Sequence, residues 1–500
     1  MTMLVYAVDL GTTNLKVVLF DEHARQLAAT TAPMRYRRDG AIVEFDADAV
    51  LAAVLELIRS CAAAADAAPD AAAHIVLTGQ AESLVLADAE GRALAPGISW
   101  MDERSAAEAA EITERFGATE AFAVTGETEA VPTWPATKLR WLRAHRPEIL
   151  AAAHHVLMIK DYILLRLTGR AVGEETTRGF TYLYDVPGRR YWPEMLEFCG
   201  VRPETLPEVV PAGTIVGPVV PDVAATLPPA ESYVVNAGAL DHFCAMLGTS
   251  SYGPGAVSAS AGTVLALSLV AADWTFDPAS VLSFHPGLRP GETVLFSCAD
   301  SGGVALEWFR EGIAGGLSYD LLERELQERD HRDAPLFLPY LTGVNPPDFN
   351  ADARGAFVDL QLRHDRIDLA YAVMEGVAHL LRRNIDAIRD AGEPVREIVT
   401  AGGGTASRFW NQLKADVCGI DVRVPAEQEA ACRGAAILAL VAAGELSSID
   451  DTARLPVPDA HVYHPRTAPT THARYDRFDD ALSRLYGGAR TQTHPEGEGR

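Results

Sequence analysis

Five hundred residues with 48% hydrophobic content describe a globular protein with room for about two to four domains and large cores. A net charge of −25 excludes non-specific nucleic-acid binding, which needs a basic surface, and no apolar run is long enough for a membrane helix. The chain enters strand-like sequence with no signal-peptide pattern, and its six cysteines are scattered without a C-x-x-C pair, so reduced thiols in a cytoplasm are expected rather than disulfides or zinc.

Only four lysines occur: Lys16, Lys138, Lys160 and Lys414. No Gly-Lys dipeptide and no G-x-G-x-x-G exist, so a Walker A loop and a dinucleotide fingerprint are both absent. A nucleotide bound here needs another cradle. The stretch Val5–Phe20 offers one. Two apolar runs, Val5–Val8 and Val17–Phe20, flank Asp9, Gly11, Thr12, Thr13, Asn14 and Lys16. This predicts a hairpin whose turn carries N–H groups, hydroxyls, a cation and an acid, the groups a metal–polyphosphate needs. An ordinary hairpin with a polar turn is the alternative.

Further along, a third strand is predicted near Gln26–Thr31 and an amphipathic helix over Ala47–Ala65, from the spacing of Val50, Val54, Leu57, Ile58 and Cys61. Ile75–Thr78 reads as a buried strand ending in Gly79-Gln80-Ala81-Glu82-Ser83, before a second strand, Leu84–Ala87. Polar residues there face a ligand crevice or form a plain turn. In Gly97–Ser105, alternation places Trp100, Asp102 and Arg104 on one face of a predicted strand. A ring beside bidentate polar groups suits a polyhydroxylated ligand, or else a core Trp lies beside an ion pair. Helices are expected over Glu103–Phe116 and from Pro135–Leu142, and strand into helix over Val156–Leu167, with loops and small elements through 170–235.

Val234–Phe243 predicts a strand, a glycine turn and a helix start at Asp241. That carboxylate is either an N-cap or a general base poised for a substrate hydroxyl. Gly253-Pro254-Gly255 marks a domain junction. Ala256–Val270 then repeats the opening pattern, two β-like runs around Gly262-Thr263. Two such hairpins suggest a duplicated architecture holding a phosphate chain from both sides. Ser301-Gly302-Gly303 precedes a helix with Trp308. After the stretch Phe337–Gly343 a long helix is expected over Asp368–Ala391. The strand Ile398–Thr400 ends in Gly402-Gly403-Gly404-Thr405 before a helix, Arg408–Cys418, where glycines let backbone approach a flat or anionic ligand. Glu429–Ala443 reads as an Ala-rich buried helix, and the tail from Gly487 is expected to be disordered.

Taken together, these motifs resemble the FGGY family of carbohydrate kinases over roughly residues 4–460. Asp9–Val17 resembles the first phosphate motif, and Pro135–Leu142 the first signature. Gly355–Leu360, continuing to Asp368–Glu375, resembles the second signature, with Asp359 where the family usually has Gly. Ser260–Thr263 resembles the second phosphate loop, and Gly402–Gly404 the adenosine loop. In the substrate loop Gln80-Ala81-Glu82-Ser83 stands where xylulokinases show Gln-Met-His-Gly and glycerol kinases Gln-Arg-Glu-Thr. Glu82 is thus similar in place to the glycerol kinases' sugar-binding Glu, while Val156–Gly169 looks like the xylulokinase side.

The resemblance implies an α/β fold of two actin-like ATPase (RNase H-like) domains with a deep interdomain cleft, over 1–250 and 251–485, with a tail at 486–500. It implies ATP and Mg²⁺ as cofactors, Asp241 as catalytic base and Asp9 serving the metal. Gly11, Thr12, Thr13, Lys16, Gly262, Thr263, Gly303, Gly402, Gly403 and Ser407 would bind the nucleotide. Gln80, Glu82, Trp100, Asp102, Arg104 and His242 would bind substrate. The expected activity is phosphorylation of a primary hydroxyl of a small ketose or polyol, first a ketopentose such as xylulose, with ribulose, a deoxyhexulose, erythritol or glycerol as alternatives. Other readings are an ATP-binding switch of the actin or heat-shock chaperone type, and a sugar-binding pseudoenzyme. The expected partner is a small sugar or polyol, with no nucleic acid and no membrane; a homodimer is one assembly open to it.

Overall fold

The computed structural model describes residues 3–486 except 69, 262–263, 272–276, 278–279, 300, 342–351, 402, 428, 456–459 and 467–468. Two sheets dominate it, one of six strands and one of seven. In the first, Met3–Leu10 pairs antiparallel with Asn14–Phe20, which pairs antiparallel with Gln26–Pro33. On its other side Met3–Leu10 runs parallel to Ala72–Gly79, then come parallel Ser232–Asn236 and antiparallel Ile215–Pro218.

The second sheet repeats this order. Ala256–Ala261 pairs antiparallel with Leu265–Val270, which pairs antiparallel with Thr293–Ala299. The other side carries parallel Glu397–Ala401, parallel Asp421–Pro425 and antiparallel Ala460–Tyr463. Ser283–Pro286 adds one edge strand beyond Thr293–Ala299. The duplication expected from the two hairpins is therefore a duplication of whole sheets.

Alternation along the first strand fills two cores. Leu4, Tyr6, Val8 and Leu10 face one way and pack with Val50, Val54, Leu57, Ile58 and Cys61 of the helix Ala47–Ala65. Met3, Val5 and Ala7 face the other way, joined by Val18 and Phe20 from the next strand. Their partners are the helix Asp241–Gly248 and a helix from far along the chain, Ala430–Ala443. Each large apolar side chain so buried contributes about 1.5–3 kcal/mol.

Those two helices cross with almost no side chain between them. A Cβ on Gly434 would lie 1.8 Å from the Cys244 carbonyl oxygen, and one on Gly248 would lie 2.0 Å from that of Ala430. Only glycine fits at either position, so the crossing fixes where the start of the helix Asp241–Gly248 sits.

Two sequence expectations are corrected. The strand reaching Trp100–Arg104 ends at Ile98, and the helix expected from Glu103 starts at Ala106. Asp102 accepts hydrogen bonds from the Val43 and Arg104 amides, which hold the intervening residues in turns. Asp359, standing for the signature glycine, has φ of 64°, the left-handed region glycine favours and Asp tolerates. The end of the Phe337–Gly343 stretch and the tail from Gly487 lie outside the described residues. Among the described residues no helix is long and apolar enough to cross a membrane.

Candidate active site

Strand register brings the opening motif together. Asp9 is directly opposite Lys16, so both side chains leave one face of the hairpin. Lys16 Nζ forms an ion pair with Glu429, the residue preceding the helix Ala430–Ala443. Burial, with Asp241 nearby, pushes the Asp9 carboxyl up to about 7, against Lys16, and Glu429 adds to the rise. Its Oδ1 is buried without a hydrogen-bond partner. Asp9, Asp241 and Glu429, spread over more than four hundred residues of sequence, thus form one acidic centre with Lys16 beside it.

The turn at 11–13 is held from below. A Cβ on Gly11 would lie 2.6 Å from the Asn14 carbonyl oxygen, so a glycine is required. The Gln80 backbone donates to the Leu10 carbonyl at 3.1 Å. Its side-chain amide donates to Leu10 O at 3.2 Å and Gly11 O at 3.4 Å, and accepts from the Ser83 hydroxyl at 2.7 Å. The Trp100 indole N–H donates to Thr12 Oγ1 at 3.1 Å, and Thr13 is exposed.

The second hairpin has similar neighbours. Ser260 pairs with Ala401, which sets the end of Glu397–Ala401 beside the end of Ala256–Ala261. A Cβ on Gly302 would lie 2.5 Å from the Val264 backbone, which sets Gly302 against the start of the strand Leu265–Val270. Gly303 opens the helix Gly303–Trp308, and Gly403 opens the 3₁₀ turn Gly403–Ala406. Gly262, Thr263 and Gly402 lie outside the described residues.

Asp241 is the first residue of its helix, and Leu240 occupies the cap. The Asp241 Oδ1 accepts from the His242 amide at 2.6 Å and lies 2.9 Å from His242 Nδ1. Burial opposes charge on the imidazole, yet Asp241 and Glu82 hold its pKa above the ordinary value. Glu82 has φ of 61°, a strained conformation of the kind that collects at functional sites. Burial, with Asp241 adding to it, pushes the Glu82 carboxyl up to about 8, so at neutral pH it is a protonated donor.

Sequence reasoning missed four members of this neighbourhood. Lys138, in the helix Pro135–His145, is fully buried; burial brings its pKa down to about 7, opposed by Asp102 and Glu82. Its Nζ donates to the Pro132 and Thr133 carbonyls at 2.7 and 2.5 Å, pinning the loop before the helix. The rarity of lysine was its signal: three of the four are buried and the fourth is ion-paired. Glu429 precedes a helix read only as structural. Glu127 and His285, described below, had no motif at all.

Several side chains expected at the substrate or nucleotide are engaged by neighbouring groups of the protein. Asp102 has no exposed surface and accepts from Arg104 Nε at 2.8 Å and Nη2 at 2.7 Å. Arg104 also reaches Glu44 at 2.9 Å and lies over the Trp141 ring. Gln80 is tied to the phosphate turn, as above. Ser407 caps the helix Arg408–Cys418 and donates to Glu323 at 2.6 Å. A strand would have presented Asp102 and Arg104 outward; the turn folds them onto each other.

Duplicated sheets, with a strained acid loop at Glu82 and an acidic centre around Asp9, define a two-domain α/β architecture. The comparisons name its family. The N-terminal domain of the FGGY family of carbohydrate kinases matches residues 4–248 and its C-terminal domain matches 257–443. The chain belongs to that family, and is a carbohydrate kinase with two actin-like domains. Xylulose kinase of Escherichia coli K12 is 30% identical over 96% of this chain and 98% of its own length. Gluconokinase of Bacillus subtilis is 29% identical over 90% of each chain. A crystal structure described as a xyloylose kinase from Brucella ovis superposes with a TM-score of 0.89 at 29% identity, covering 96% of this chain and 99% of that one. ATP as phosphoryl donor follows from the family.

Proposed function

We propose that this kinase transfers the ATP γ-phosphoryl group to a primary hydroxyl of a small neutral ketose, with a ketopentose such as xylulose as acceptor. The observation that carries this reading is the pair of buried carboxyls near Asp241, Glu82 and Glu127, which burial keeps protonated as uncharged donors. Asp241 acts on Glu82 and Glu82 on Glu127, and the lysine near them, Lys138, is committed to the Pro132 and Thr133 carbonyls. A neutral polyhydroxylated acceptor accepts and donates hydrogen bonds to such groups. Lys138 is already held by the Pro132 and Thr133 carbonyls and His242 by Asp241, so an aldonate carboxylate would be buried without a cation from either, which weighs against gluconate although a gluconokinase is among the relatives.

In this reading Asp241 orients the acceptor hydroxyl and takes its proton, using Oδ2 while His242 holds Oδ1. Glu82 donates to a neighbouring hydroxyl. Lys16, the 11–13 turn and the glycine turns of the second half bind the phosphate chain and nucleoside, and closure of the two halves excludes water. Asp9 suits Mg²⁺: its orphaned Oδ1 lies near Asp241 and Glu429, and Lys16 is ion-paired with Glu429. Mg²⁺ would supply neutralisation of phosphate charge.

The test is ADP release measured over a panel of acceptors. Xylulose is expected to stimulate it far more than gluconate. Stimulation by gluconate alone would overturn the substrate assignment, and indifference to every acceptor would favour an ATP-binding switch.

A further inference from the structure

Beyond the acid loop lies a second buried polar pair, contributed by both halves of the molecule. Glu127 follows the helix Ala118–Thr125 in the first half, and His285 sits on the edge strand Ser283–Pro286 of the second. The two segments are locked together: the Phe284 amide donates to the Gly126 carbonyl at 2.8 Å, and a Cβ on Gly126 would lie 2.1 Å from the Phe284 carbonyl oxygen. His285 is fully buried and Glu127 is 3% exposed. Yet His285 Nε2 stops 3.6 Å from Glu127 Oε1, beyond hydrogen-bonding distance. Both His285 nitrogens and Glu127 Oε1 are left without a partner.

Three unmet polar atoms in one buried place carry a desolvation cost of about 1–3 kcal/mol each. Sites that tolerate such a cost are commonly completed by a ligand. The place is close to the acceptor pocket. Glu127 and Glu82 influence each other's charge. The Phe296 ring lies 5.7 Å from His242 and 5.6 Å from His285, so a single ring separates the histidine beside Asp241 from this pair. His285 also stacks flat on Phe180 at 3.8 Å, which fixes the plane of its nitrogens.

We infer that Glu127 and His285 are specificity-determining residues that hydrogen-bond the hydroxyls of the acceptor's distal end, remote from the hydroxyl phosphorylated at Asp241. This rests on the kinase reading above and deepens it. The protonation states suit neutral hydroxyls. Burial pushes the Glu127 carboxyl well above its ordinary range, making it a donor. Burial takes His285 down to about 3, leaving a neutral ring with one donor and one acceptor. Because one residue comes from each half, a long acceptor would be read only when both halves are in place.

The test replaces the pair without emptying it. Glu127→Met/His285→Phe keeps the volume and the stacking on Phe180, and replacing a buried polar pair by apolar groups is commonly tolerated by the fold. The KM for xylulose is expected to rise about tenfold or more, while the KM for ATP and acceptor-free ATP hydrolysis stay within about twofold. Glu127→Gln alone, which keeps a donor, is expected to recover most of the affinity. If both KM values rise together, or neither moves, in a variant whose melting temperature matches wild type, the pair merely holds the halves together and the assignment is wrong. Wild-type protein whose ATP turnover ignores every acceptor would overturn the kinase reading itself, and this assignment with it.

Discussion

The buried acid at the end of the first strand makes the sharpest physical prediction. Asp9→Asn removes a charge while keeping shape. In the wild-type fold the Asp9 carboxyl titrates near 7, against 3.8 for an unperturbed aspartate, because burial, Asp241 and Glu429 disfavour its ionised form. The folded protein therefore keeps this proton up to about pH 7, whereas the unfolded chain releases it near 3.8. Stability contributed by this site falls as pH rises through that window and is constant above it. At about 1.4 kcal/mol per pH unit, the full penalty is roughly 4 kcal/mol. Asp9→Asn is free of it. In metal-free, nucleotide-free protein the variant should match wild type near pH 4, gain through pH 5 and 6, and melt several degrees higher at pH 8. With Mg²⁺ and ATP the proposed role of Asp9 at the metal predicts the reverse order, because the ligands would stabilise wild type more than the variant. Thermal melts at pH 4.5, 6 and 8 in chelator decide it. A variant less stable than wild type at pH 8, or a difference that ignores pH, would refute the account of this acidic centre.

Two other substitutions probe separate parts of the site. Wild type is expected to lose kcat/KM above about pH 8, where Glu82 gives up its proton, and Glu82→Gln should keep acceptor affinity near neutral pH and lack that fall; an alkaline limb unchanged in the variant would remove Glu82 from acceptor binding. Gly434→Ala forces a methyl group against the Cys244 carbonyl, costing about 1–3 kcal/mol and moving the helix that begins at Asp241, so both melting temperature and kcat should drop; wild-type values for both would contradict the tight crossing.

Much of the fold was legible because local signals were strong. The hairpin runs, the helix Ala47–Ala65 and the helix Arg408–Cys418 follow from periodicity and were placed to within three residues at every end. The repeated Gly-Thr hairpin pointed to duplication, though not to two whole sheets. What the sequence hid was long-range. Nothing in an Ala-rich helix says that it packs on a sheet four hundred residues earlier, or that Glu429 before it meets Lys16. Alternation through Trp100, Asp102 and Arg104 looked like a strand face, but a carboxylate that can accept backbone amides makes a turn instead. Glu127 and His285 belong to no motif; only the docking of Phe284 on Gly126 brings them together.

The account's central claim is that Asp241 activates an acceptor hydroxyl, and Asp241→Asn tests it most directly. Xylulose and ATP binding measured by calorimetry should stay within a few-fold of wild type, while acceptor-stimulated ADP release falls by about 10²–10⁴-fold. Near-normal turnover by that variant, or loss of xylulose binding in step with activity, would contradict the claim.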